Sequence, residues 1–158
     1  MPSRHQGNRK EQEALSAYIK LMRASGAVND RYALVLRSAR LTPSQFGVLE
    51  ALHFVGPLRQ VDLAAKILKS SGNITMVVDH LEQRGLVDRE RNVDDRRCVT
   101  VTLTSTGREL ITQTYPQVST QIVAAFSALS LNEQSQLAAL CKKLGLANAG
   151  PTSGANDA

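Results

Sequence analysis

Two short stretches hold the side chains best placed to do chemistry. Ser70-Ser71-Gly72-Asn73-Ile74-Thr75-Met76 gathers hydroxyls, an amide and a thioether, and Asp95-Arg96-Arg97 sets two guanidinium groups behind a carboxylate. Neither set is arranged for covalent chemistry. Hydroxyls, amides and apolar tips at a helix start are the groups that read base-pair edges in a major groove, and a flat cation suits a narrow, strongly negative minor groove. Groups that could carry catalysis are scattered. His5, His53 and His80 fall in separate segments, no Ser/His/Asp motif or glycine-rich phosphate loop is present, and Cys98 and Cys141 lie far apart in neither metal nor redox spacing. An enzyme, a cofactor and a metal site are not expected.

Charge supports this reading only through its placement. The chain of 158 residues carries a net charge of +5. Residues 1–40 hold eight Lys or Arg against three acids, whereas residues 58–97 hold eight against seven. The excess is therefore N-terminal, and the region expected to meet nucleic acid is nearly balanced. No run approaches the 18 or so apolar residues of a membrane span, and MPSRHQGNRK lacks the apolar core of a secretion signal, so a cytoplasmic protein with no membrane partner is expected.

The elements that must position these groups follow from periodicity. Ile74, Val77, Val78 and Leu81 share one helical face, with Ser70 or Ser71 as N-cap and Gly85 as the stop. Val87 to Arg91, and Val99, Val101 and Leu103 alternating with Cys98, Thr100 and Thr102, predict two strands joined by the polar loop 92–97. Upstream, Thr42-Pro43-Ser44-Gln45 is a capping box opening a helix that buries Phe46, Leu49 and Leu52 and stops near Gly56-Pro57. A short helix over about 60–68 then leads into the 70–83 helix, the helix-turn-helix order. Helical stripes also cover 11–37, as one long helix with a weak point at Gly26 or as two helices, and 105–127, where Pro116 predicts a kink or a split. A last helix opens at the Ser130/Glu133 capping box, buries Cys141 on its apolar side and closes at Gly145.

The expected architecture is mainly α with a small β-hairpin wing: a winged helix-turn-helix flanked by N- and C-terminal dimerisation helices. Its divisions are a disordered basic tail (1–10), an N-terminal dimerisation region (11–40), the winged domain (41–104), C-terminal dimerisation helices (105–146) and a disordered tail (147–158). The end helices carry more apolar stripe than a small winged domain can cover, which marks an association surface for a twofold homodimer.

With the 74–81 stripe inward, Gly72, Met76, Asp79 and Gln83 lie at the outer centre, flanked by Asn73, Thr75 and His80. Asn73 suits an adenine edge, Thr75 offers a hydroxyl or a methyl, Met76 suits a thymine methyl, and Ser70 and Ser71 at the positive helix end suit a phosphate. Gly72 permits close backbone approach, and His80 reads as a surface or phosphate-facing histidine, not a metal ligand. Arg59 and Lys69 are secondary phosphate candidates. The awkward carboxylate of Asp79 either pairs with a nearby arginine or points aside.

The order LTPSQFGVLEAL, VDLAAKIL, SGNITMVVDHLEQRGLV, DDRRCVTVTLTSTGREL resembles the MarR family of bacterial transcriptional regulators. The most specific pieces are Asp95-Arg96-Arg97, Leu103-Thr104-x-x-Gly107 and Leu81-Glu82-x-x-Gly85-Leu86, and the likeness spans roughly 11–145. The resemblance implies a dimer built by the terminal helices, a palindromic double-stranded DNA operator, and repression relieved by a small molecule or oxidant. It makes Arg97 the minor-groove arginine, Asp95 the acid shaping its loop and Arg96 a backbone contact. The SGNIT helix start is most similar to a branch that includes regulators responsive to quinones and phenols.

The same resemblance implies an effector pocket between the dimer helices and the helix-turn-helix, with Tyr18, Met22, Tyr32, Phe46, His53 and Tyr115 as candidates for a flat aromatic ligand. Each of these also reads as core. Two rival functions remain. Cys98, directly after two arginines and facing away from Val99 and Val101, could be an exposed redox-sensing thiol; Cys141 is expected to be buried and inert. The family's sensor cysteine near the start of the first helix has no counterpart in 11–19. A winged helix can also serve as a protein-interaction module without specific DNA binding.

Overall fold

A computed structural model of the chain describes residues 7–67, 71–91 and 98–148, with the backbone alone at Ser71 and Gly72. Among the described residues the order is α1 (Arg9–Ser38), α2 (Pro43–Val55), β1 (Leu58–Arg59), α3 (Gln60–Lys66), α4 (Ser71–Gln83), β2 (Val87–Arg91), β3 (Val99–Leu103), α5 (Ser105–Phe126) and α6 (Leu131–Asn148). The mainly α architecture with a winged helix-turn-helix at its centre is as the sequence implied.

Local chemistry explains where the helices begin. The Thr42 hydroxyl accepts from the Gln45 N–H while Gln45 Oε1 accepts from the Thr42 N–H, and Ser130 and Glu133 repeat that exchange at α6. A third capping box, Asn8 with Glu11, starts α1 at Arg9. The expected tail boundary at residue 10 is therefore corrected: 7–10 form the cap and first turn of α1, because Asn8 supplies an N-cap acceptor. Residues 1–6 and 149–158 lie outside the described residues.

The core joins α2, α3, α4, the sheet and α5 through Val48, Leu49, Leu52, Leu63, Ile74, Val78, Leu81, Val87, Val101, Ile111 and Val118, with Leu36 the fully covered residue of α1. Val77, expected on the buried face of α4, is half-buried.

Four expectations change. The wing is not a lone hairpin: β1 pairs with β3, giving the order β1-β3-β2, with Leu58 opposite Val101 and Val87 opposite Leu103. A two-residue strand has no periodicity to betray it. Helix α5 passes through Pro116 without splitting; of the two alternatives for α1, one helix unbroken at Gly26 is the one seen. Ile111 and Val118, buried on either side of the proline, anchor both halves of α5. Helix α6 runs through Gly145 to Asn148 instead of closing there. Finally, Cys141 is exposed, since no residue of α6 is buried within the chain.

Candidate nucleic-acid interface

Helix α4 is held from below and at its C-terminal end. Its apolar face sits on α2 and α3 through Ile74, Val78 and Leu81. At its C-terminal end Gly85 turns with φ +68°, and the Gly85 carbonyl accepts from the Thr104 hydroxyl at 2.7 Å. That hydroxyl also caps α5 by accepting from the Gly107 N–H at 3.0 Å. A Cβ on Gly107 would stand 1.9 Å from the Leu86 carbonyl oxygen. The Leu103-Thr104-x-x-Gly107 and Gly85-Leu86 motifs are thus one joint that fixes the hairpin against α4. Arg84 adds a tie to the α1–α2 turn, donating to the Arg40 carbonyl at 2.6 Å and to that of Ala39 at 3.3 Å.

The outward face carries the side chains singled out by their types. Asn73, Thr75, Met76 and His80 are exposed together, Met76 with 55% of its surface open. Helix α4 begins at Ser71, with Gly72 in its first turn; Ser70, Asp95, Arg96, Arg97 and Lys69 lie outside the described residues. Thr75 is held across the helix-turn-helix, its Oγ1 accepting from Gln60 Nε2 at 2.9 Å. Val61 on α3, 60% exposed, adds an apolar side chain that periodicity had not flagged.

The electrostatics resolve Asp79. In β2, Arg89 shares the inward face with the buried Val87 and so points at α4. It donates to Asp79 and, through Nε and Nη2, to Glu82. The Arg89 hydrogen bond holds the Glu82 carboxyl below its ordinary range, against the opposing effect of burial. Of the two sequence alternatives for Asp79, pairing is the one seen. Arg59, a secondary phosphate candidate, is engaged by Asp62 at 2.8 and 3.1 Å; Asp62, and to a lesser degree the neighbouring Cys98, favours its charged form. Cys98, which could have been an exposed thiol, is half-buried beside Arg59.

The effector candidates do not gather into one cluster within the chain. Tyr18 and Met22 are exposed on the N-terminal half of α1, and Phe46 packs in the core. Tyr32, His53 and Tyr115 are half-buried. Phe54, which sequence reasoning passed over, joins two of them, meeting His53 edge-on at 4.9 Å and Tyr115 at 4.8 Å. His53 Nδ1 is buried without a hydrogen-bond partner among the described residues. Burial raises the Glu50 carboxyl, and burial together with Glu50 raises the Tyr32 phenol. Glu50 and Phe54 line an open groove of ≈ 580 Å³ with Lys66 and Ile67; a second groove of ≈ 450 Å³ runs between α1, α5 and α6 past Leu21, Val28, Phe126 and Leu137. None of the six candidates lines either groove. Among the described residues no helix is long and apolar enough to cross a membrane, and no three His, Cys, Asp or Glu side chains are grouped to hold a metal ion.

A helix-turn-helix whose second helix offers an exposed polar face, backed by an antiparallel hairpin locked to it, defines the winged helix-turn-helix class of DNA-binding proteins. The MarR family model matches residues 41–99. The chain is 36% identical over 140 residues to the HTH-type transcriptional regulator YkoM of Bacillus subtilis (strain 168), covering 88% of this chain and 91% of that one. Among solved structures it is similar to Bordetella bronchiseptica BpsR, whose DNA binding is regulated by 6-hydroxynicotinic acid, with TM-score 0.75, 27% identity and coverage of 82% and 98%. It is also similar to NadR in complex with 4-hydroxyphenylacetate, with TM-score 0.71, 25% identity and coverage of 91% and 97%. The chain belongs to the MarR family of DNA-binding transcriptional regulators.

Proposed function

We propose that the protein is a repressor that binds a palindromic operator as a homodimer and is released by a small phenolic or quinone-like ligand. The observation that carries the DNA reading is the exposed face Asn73-Thr75-Met76-His80 on a helix seated on the core and tied down at its C-terminal end. In this reading Asn73, Thr75 and Met76 meet base edges, while Ser70, Ser71, Gly72 and His80 approach phosphates. Arg97 enters the minor groove, with Asp95 shaping its loop and Arg96 on the backbone. The homodimer is supported by the open apolar side chains of α6, Leu140 at 65% and Leu144 at 53% exposure, beside the α1–α5–α6 groove. Effector release is supported by BpsR and NadR, whose named small molecules are both hydroxylated aromatic acids. Tyr18, Met22, Tyr32, Phe46, His53 and Tyr115 are its proposed contacts.

Selection from random duplexes tests the reading: enrichment of a palindrome with half-sites about one helical turn apart is expected. No enrichment would favour a protein-interaction module instead. A release screen of hydroxybenzoates, phenols and quinones on the selected duplex tests the effector. Thiol sensing at Cys98 is a second reading, supported by the position of that thiol beside the Arg59 guanidinium.

A further inference from the structure

Gln60 stands where three parts of the interface meet. It directly follows β1, whose Leu58 and Arg59 pair with Val101 and Thr100 of β3, so its backbone is anchored to the wing strand. It is also the first residue of α3. Its side chain crosses to α4 and donates from Nε2 to Thr75 Oγ1 at 2.9 Å.

Fold stability does not account for the amide. Gln60 Oε1 is buried with no hydrogen-bond partner among the described residues. A buried acceptor left unpaired is a cost, and an apolar side chain of similar shape avoids it. A cavity of ≈ 110 Å³ lies against Gln60, Arg59, Val61, Cys98 and Val99. What the amide adds is its hold on Thr75. A helical threonine divides between two χ1 rotamers, which point its methyl and hydroxyl in different directions. A donor fixed at one side of Oγ1 selects one of them.

We propose that Gln60 is a specificity-determining positioning residue: anchored to the wing strand, it sets the Thr75 rotamer and so which edge of a base pair Thr75 matches. The inference rests on the reading of the α4 face as the base-reading surface. Because Gln60 is carried by β1, the wing strand and the base-reading side chain move as one unit.

The test uses the full chain and the duplex selected by the wild type, with each base pair of one half-site varied in turn. Wild type, Gln60→Leu, Thr75→Val and the double variant are titrated, and their melting temperatures recorded. Gln60→Leu is expected to lose about tenfold of the preference at one base pair, the size of a single direct contact. Thr75→Val should relax that same base pair, and the double variant should be no worse than either single one. Binding to random duplex and its salt dependence should be unchanged, and the melting temperature of Gln60→Leu should not fall. Full preference in Gln60→Leu, or losses that add at different base pairs, would overturn the proposal. If Gln60→Leu folds poorly, Gln60→Met is read in the same way. A wild type that selects no sequence overturns the base-reading surface itself, which separates that failure from the failure of Gln60 alone.

Discussion

The guanidinium of Arg89 donates to a single carboxylate oxygen of Glu82 through both Nε, at 3.0 Å, and Nη2, at 2.6 Å. The pair joins β2 to α4, and Nη2 also reaches Asp79 on that helix. One cation thus satisfies two acids of α4.

A pH dependence follows from the depressed Glu82 carboxyl. A carboxyl whose pKa is lower folded than unfolded contributes stability above its unfolded value, about 4.3, and loses that contribution as pH falls through the folded value. Wild type should therefore melt above Glu82→Gln at neutral pH, and the gap should close on acidification below about pH 4. Parallel melting curves across that range would refute the linkage. Arg89→Ala, which strands both acids, should weaken operator binding more than Glu82→Gln does.

Two glycines should respond in opposite directions to alanine. At Gly107 the new Cβ would lie 1.9 Å from the Leu86 oxygen, so the hairpin joint must move apart. Gly107→Ala should cost about 3 kcal/mol, at the upper end of overpacking penalties. At Gly26 a Cβ meets nothing within 4 Å inside α1, so Gly26→Ala should gain about 0.5–1 kcal/mol from helix propensity. Urea unfolding of the two variants checks both.

The contrast between local and long-range signals explains what was legible. The Thr42/Gln45 and Ser130/Glu133 capping boxes and the Ile74-Val78-Leu81 stripe are short-range patterns, and each appears where its spacing implies. The missed features join residues separated in the chain: β1 against β3 and Gln60 to Thr75, while the arginine that pairs with Asp79 could not be named in advance. No local period encodes such a pairing. Breakers misled for a related reason. Pro116 and Gly145 weaken a helix locally, but Ile111 and Val118 bury α5 on both sides of the proline, and a glycine costs only about 1 kcal/mol against a helix that continues past it.

At the wing tip, Arg97→Ala should weaken operator binding at least about tenfold, as expected for losing a charged contact. It should also flatten the dependence of affinity on salt if the guanidinium displaces counterions. Mobility-shift titrations at several salt concentrations measure both. Unchanged affinity would remove Arg97 from the interface.

Cys98→Ser separates the two regulatory readings. The thiol is half-buried beside Arg59, itself bound to Asp62. If effector release works through a non-covalent pocket, Cys98→Ser should release from the operator at the same concentration of a phenol or quinone as wild type. A variant that stays bound while wild type is released would assign the response to the thiol.

The last prediction concerns α6. No residue of this helix is buried within the chain, yet it carries Leu137, Leu140, Leu144 and Leu146, each at least 36% exposed. Such a face is too apolar to be left in water, and α1 offers a matching exposed stretch in Tyr18 and Met22. Sedimentation of wild type should give twice the 17.1 kDa chain mass. Leu140→Glu combined with Leu144→Glu should shift the protein toward monomer, because charge placed in an apolar interface is costly to desolvate. Neither leucine belongs to the core cluster, so the helical circular dichroism of the winged domain should persist. Operator affinity should fall steeply, since each monomer then holds one half-site alone and the effective concentration supplied by its partner is lost. A double variant that remains dimeric would show that the second copy docks elsewhere.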